Sequence, residues 1–124
     1  MNTYGKELVI DLHQCNVNKF NRKDLRKYFK ELCILIDMQR SKLVFWDDVG
    51  VKEEEKQVQI HTKGTSAVQF ILTSNITIHT LDLLGNVYIN IFSCKDFDFK
   101  KALDFSGKFF ESKWLAQWKI IERK

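Results

Sequence analysis

Ser66, Ser74, His79 and Cys94 are the residues of this 124-residue chain whose types and spacing could do chemistry. All four lie in one stretch, KGTSAVQFILTSNITIHT followed by LDLLGNVYINIFSCKDF, which spans 63–97. A serine, a histidine and a cysteine together support acyl chemistry, in which a hydroxyl or thiol attacks a carbonyl and an imidazole carries the proton. Asp82 is the one carboxylate close to His79 in sequence, so a hydrolase triad is poorly supported. The chain has no Gly-x-Ser-x-Gly, no phosphate-binding loop and no dinucleotide fingerprint. His13 and Cys15 stand two apart. Two ligands make a weak zinc signal, so that pair is read as structural and no metal site is expected.

The elements that must position these four residues are strands. Ala67 to Leu72 is apolar and interrupted by Gln69. Ile76 to Thr80 alternates, so Thr77 and His79 stand opposite Ile76 and Ile78. Gly85-Asn86 reads as a turn and Val87 to Phe92 as the next strand. Ser74 then sits at a strand junction, where a tight turn can strain a peptide bond. Antiparallel pairing brings Cys94 back beside it, and Ser66 opens the preceding strand. The expectation is that three adjacent strands converge all four side chains at one rim.

Around this centre, Lys6 to Leu12 reads as a strand. Asn21 is a helix N-cap with Asp24 in the first turn, ahead of Leu25, Tyr28, Phe29, Leu32, Cys33 and Ile36 on one helical face. Leu43 to Trp46 and Val58 to His61 read as two strands flanking a charged connection, Asp47–Lys56. Asp98 caps a second helix, whose face includes Phe99, Ala102, Leu103 and Phe109 or Phe110. Trp114, Ala116, Trp118 and Ile120 alternate as a closing strand. The order predicts an α+β two-layer sandwich: one mostly antiparallel sheet with two helices on one face. With no proline, linker or low-complexity tract, residues 1–124 form a single domain.

Composition narrows the function classes. At 44% hydrophobic and 13% aromatic the chain can build a core and is not disordered. The three Trp and ten Phe are expected mostly in that core. No apolar run is long enough to span a membrane, and no apolar leader precedes the first strand, so a cytoplasmic location is expected. Three cysteines without an export signal argue against a disulfide framework. Cys33 belongs to the apolar helix face and Cys15 is read as structural. The net charge of +4 is spread among acids, as in Lys52–Lys56 (KEEEK), so a nucleic-acid partner is not expected.

Three segments carry a family resemblance: YGKELVIDLHQC at the first strand, TSNITIHT around Ser74, and INIFSCKDFDFKKAL at the cysteine strand and second helix. In these the chain resembles the prokaryotic-type S-adenosylmethionine decarboxylase proenzymes over nearly its whole length. The successive intervals Ser66–Ser74, Ser74–His79 and His79–Cys94 are eight, five and fifteen. They match that family's catalytic serine, pyruvoyl-forming serine, histidine and cysteine.

The resemblance implies that the Ser74 hydroxyl attacks the Thr73 carbonyl, while Ser66 assists and His79 takes up the Cα proton of Ser74 as the ester eliminates. Loss of ammonia then leaves a pyruvoyl group on Ser74, and the chain becomes 1–73 and 74–124. That covalent cofactor forms a Schiff base with the substrate amine and accepts the electrons released with CO₂. Cys94 returns a proton to the carbanion. The implied product is decarboxylated S-adenosylmethionine for spermidine biosynthesis, and the implied assembly is a homodimer in which both subunits shape each active site.

The chain departs from the family pattern at Thr73 (usually Glu), at Asn75 (usually His) and at Leu81-Asp82-Leu83, where Trp-Pro-Glu is usual. The last change removes an aromatic surface for adenine and an acceptor for ribose hydroxyls. Two further readings therefore stand beside the first: a pyruvoyl decarboxylase of another amino acid, such as ornithine or arginine, and an unprocessed binding or regulatory relative.

Overall fold

The computed structural model describes residues 3–124. Six strands form one sheet: β1 (Gly5–His13), β2 (Arg40–Trp46), β3 (Gly64–Ile71), β4 (Ser74–Leu81), β5 (Asn86–Ser93) and β6 (Trp114–Arg123). Their order is β2-β3-β4-β5-β1-β6, and every pairing is antiparallel. Two helices, α1 (Arg22–Leu35) and α2 (Phe99–Phe109), complete the α+β sandwich.

The period-two pattern decides which face the helices cover. Leu8, Ile10 and Leu12 of β1, Ile76 and Ile78 of β4, and Val87, Ile89 and Ile91 of β5 are all buried. α1 lays Leu25, Tyr28, Phe29, Leu32 and Cys33 onto that face. Its start is fixed by Asn21, whose side-chain oxygen accepts the Asp24 amide at 2.9 Å. Asp98 caps α2 in the same way, accepting the Lys100 and Lys101 amides. Where the helices meet, the buried Tyr28 and Ser106 hydroxyls hydrogen-bond at 2.7 Å, so neither polar group is left unpaired. Replacing a side chain such as Phe29, which is fully buried, by alanine should cost about 3–5 kcal/mol.

Three expectations are corrected. Val58–His61 is not a strand. β2 pairs directly with β3, and the Thr62 and Lys63 amides close a turn onto the Gln59 carbonyl. The segment pairs with none of the strands, and Val58 and Ile60 stay exposed. The closing strand exists, but its alternation is broken. The register shift at Asp11/Leu12 puts Leu115 opposite Leu12 and Gln117 opposite Asp11, which turns Trp114 to the face opposite Trp118. Finally, none of the three tryptophans is in the core: Trp46, Trp114 and Trp118 are 84%, 53% and 45% exposed. Both helices pack on one side of the sheet. The other side, which carries Val44, Trp46, Phe70, Trp114 and Ile121, is open.

Candidate active site

Two adjoining strand registers make the first half of the site. Ser66 of β3 lies directly opposite His79 of β4, and Ser66 Oγ is 2.7 Å from His79 Nδ1. The same transverse row continues to Trp46 of β2 on one side and Tyr88 of β5 on the other. All four side chains therefore share the open face. Gly64 lets the start of β3 approach β4 closely; a Cβ there would collide with the Thr80 carbonyl oxygen. A cavity of about 460 Å³ lies over the row, lined in part by Trp46, Gln57, His61, Ser66, His79 and Tyr88. Leu81, which stands where the family usually has Trp, lines it too.

The second half lies at the tip of the β3–β4 hairpin. Ile71 pairs with Ser74, so Leu72 and Thr73 form a two-residue turn. Thr73 has a φ of 54°, in the left-handed region that a β-branched residue enters only under strain. The strained residue precedes Ser74 and so contributes its carbonyl to the peptide bond singled out in the sequence. Ser74 Oγ accepts the Cys94 amide at 3.1 Å, which leaves the hydroxyl proton uncommitted to that contact. Thr73 Oγ1 lies 3.1 Å from Cys94 Sγ and 2.8 Å from the Leu72 carbonyl oxygen.

Several contacts hold Cys94 in this place. The Ser93 hydroxyl donates to the Lys95 carbonyl at 2.8 Å and accepts the Lys95 amide at 3.0 Å. Lys95 in turn pairs with Asp37 at 2.6 Å. Gly5 admits β1 against this turn, because a Cβ there would stand 2.7 Å from the Cys94 Cα. The Thr73 and Ser74 hydroxyls pull the Cys94 thiol below its ordinary pKa, and Tyr4 adds to the effect. Burial does the reverse to the other two thiols, pushing Cys15 and Cys33 up to about 11. Cys94 is thus the one thiol of the three whose surroundings favour ionisation. It opens onto a cavity of about 360 Å³ shared with Tyr4, Lys6, Asp96 and Glu122.

The expected convergence at one rim is corrected here. The structure brings Ser66 to His79 and Ser74 to Cys94, and it keeps the two pairs apart. Five residues of β4 separate Ser74 from His79, roughly 17 Å at about 3.3 Å per residue. The interval is odd, so the two side chains also emerge on opposite faces: Ser74 is buried on the helix side and His79 is exposed on the open side. Asp82 makes no triad with His79. It follows β4, where its Oδ1 is buried without a partner among the described residues, and burial raises its pKa. Trp46, Tyr88 and Tyr4 were not singled out by sequence reasoning. Only the strand registers and the chain entry beside Cys94 place them at the two half-sites.

The chain is similar to known proteins in sequence and in fold. A sequence model of the family described as S-adenosylmethionine decarboxylase matches residues 6–124. The chain is 27% identical over 97 residues to an S-adenosylmethionine decarboxylase proenzyme of Oceanobacillus iheyensis, covering 77% of this chain and 68% of that one. The crystal structure of the adenosylmethionine decarboxylase from Aquifex aeolicus superposes with a TM-score of 0.76, over 99% of this chain and 92% of that chain. At 19% identity, that likeness is one of fold.

Proposed function

The chain belongs to the S-adenosylmethionine decarboxylase family, a family of carboxy-lyases, and from that premise we propose that it is a proenzyme which cuts itself between Thr73 and Ser74 and then decarboxylates S-adenosylmethionine. The observation that carries the proposal is the left-handed Thr73 immediately before Ser74. Strain stored in the residue that supplies the scissile carbonyl is strain that cleavage can release.

Ser74 Oγ attacks the Thr73 carbonyl carbon; the C–N bond breaks and the acyl group passes from nitrogen to oxygen. The ester then eliminates as a base removes the Ser74 Cα proton, so the Oγ oxygen leaves with Thr73 as a carboxylate. Hydrolysis of the remaining dehydroalanine releases ammonia and leaves a pyruvoyl group at the head of 74–124. That group supplies an electrophilic carbonyl and an electron sink. Cys94 is the proton donor for the decarboxylated product, placed beside the same residue by its amide contact with Ser74.

His79 is the base assigned by the resemblance, yet its own Ser74 is out of reach. The proposal therefore includes a homodimer in which Ser66 and His79 of one subunit complete the Ser74–Cys94 half-site of the other. What supports it is the position of Ser66 and His79 on a sheet face that no helix covers and that carries exposed Val44, Phe70 and Ile121. Spermidine biosynthesis is the destination proposed for the product, and the cytoplasm the location. Among the described residues no helix is long and apolar enough to cross a membrane. No observation favours ornithine or arginine as substrate.

Intact mass tests the cut. Wild-type protein should give two fragments corresponding to 1–73 and 74–124, with a keto group on the latter that hydride reduces, while Ser74→Ala stays whole. Carboxyl-labelled S-adenosylmethionine should release labelled CO₂, and ornithine and arginine should not. A wild-type chain that remains uncut and traps no hydride rules the proposal out.

A further inference from the structure

We propose that Trp46 is the platform on which the adenine of the substrate stacks, and so a specificity-determining residue of the site assigned above; the inference rests on that reading. Among the exposed large apolar side chains Trp46 is the most exposed, at 84%. An indole left in water forgoes one of the largest apolar burials available to any side chain. Its place is defined by register. Trp46 is the cross-strand partner of Ser66, and Ser66 is the partner of His79. The indole therefore stands one strand from Ser66 and two from His79, roughly 5 and 10 Å at the spacing of neighbouring strands. A nucleoside with its base on Trp46 reaches back along this row with its sugar towards His79.

The cavity over the row, about 460 Å³, falls within the range that holds small ligands. Its lining also includes His61, Gln57 and Asp48, polar groups suited to the edge of a purine. The floor of the row is polar, with Ser66 hydrogen-bonded to His79. An aromatic plane beside a polar floor selects a flat ring bearing a polar tail.

Uncut Ser74→Ala protein allows binding to be read without chemistry, with 5′-methylthioadenosine as the probe and methionine as the control. In that background Trp46→Ala should weaken nucleoside binding roughly tenfold or more, the usual range for removing a base-stacking aromatic. Trp46→Phe should restore most of it, and methionine binding should not change. In the self-cleaved enzyme, Trp46→Ala should raise KM for S-adenosylmethionine by a similar factor with kcat within about twofold. Size-exclusion chromatography of each variant accompanies these measurements. Equal nucleoside affinity with and without the indole overturns the inference, as does a loss that accompanies dissociation into monomers, which would make Trp46 a subunit contact. If wild-type chain is never cut, yet nucleoside binding still depends on Trp46, the decarboxylase reading falls and the platform stands.

Discussion

Thr73 Oγ1 stands 3.1 Å from Cys94 Sγ, although the two residues are 21 apart in the chain. The contact joins the strained turn to the thiol proposed as proton donor. It arises because β4 and β5 pair as far as Asn75 and Phe92, so the segment just past β5 comes to lie against the β3–β4 turn. In the proposed function, processing and turnover share this corner of the sheet.

The strain at Thr73 is testable by removing it. Glycine enters the left-handed region without penalty. If the strained ground state speeds attack by Ser74, Thr73→Gly should slow self-cleavage about tenfold, the equivalent of some 1.4 kcal/mol of lost strain. The half-time on a denaturing gel reads this directly. An unchanged half-time would show that the turn conformation contributes nothing to the cut.

The separation of the two half-sites predicts complementation. Ser74→Ala and His79→Ala chains should each remain whole when made alone. Co-expressed, they should form mixed dimers in which Ser74 of the His79→Ala chain meets His79 of the other. Only the His79→Ala chain should then be cut, and mass spectrometry distinguishes the two. If neither chain is cut in the mixture, the shared site is wrong.

The thiols should separate by reactivity. Cys94 is drawn below its ordinary pKa by the Thr73 and Ser74 hydroxyls, while burial lifts Cys15 and Cys33 to about 11. In uncut Ser66→Ala or His79→Ala protein, iodoacetamide near neutral pH should label Cys94 first. Its rate profile should have a midpoint below that of a free thiol, whereas Cys15 and Cys33 wait for strong alkali or unfolding. Peptide mapping after alkylation makes the assignment. A profile in which all three react together contradicts the geometry.

Acid stability should depend on Asp47. Its carboxylate is held by Arg22 through Nε at 2.6 Å and Nη2 at 2.7 Å, which lowers its pKa. A lowered carboxylate pKa contributes stability that is fully present above the unfolded value of about 3.9 and is lost as pH falls through the folded value. Asp47→Asn should therefore cost roughly 1 kcal/mol at neutral pH. The difference from wild type should shrink as the pH falls through the acid range. Urea unfolding at several pH values measures it, and a constant difference would mean that the ion pair is not its source.

Local physics made much of this protein readable from its residues. Asn21 and Asp98 are caps because a short polar side chain satisfies the free amides of a helix start, and both begin helices in the structure. Strict alternation in Ile76–Thr80 foretold a strand with His79 on the face away from Ile76 and Ile78. The pairing of Ser74 with Cys94 was legible too, since one turn at Gly85-Asn86 sets it. Val58–His61 misled because alternation alone supplies no neighbouring strand to pair with.

The remaining features were decided by the tertiary structure. Trp46 meets Ser66 only because β2 pairs with β3, and a register shift in the β1–β6 pairing turns Trp114 away from Trp118. That Trp46 and Trp114 stand exposed follows from both helices choosing the other side of the sheet, while Trp118, on the helix side, stacks on Phe99 and is only half covered. The sequence alone determined which side chains are candidates for chemistry and which elements hold them, because those depend on residue type and near neighbours. Which of them meet was decided by long-range strand registers, since contacts between residues far apart in the chain exist only once the whole sheet is assembled.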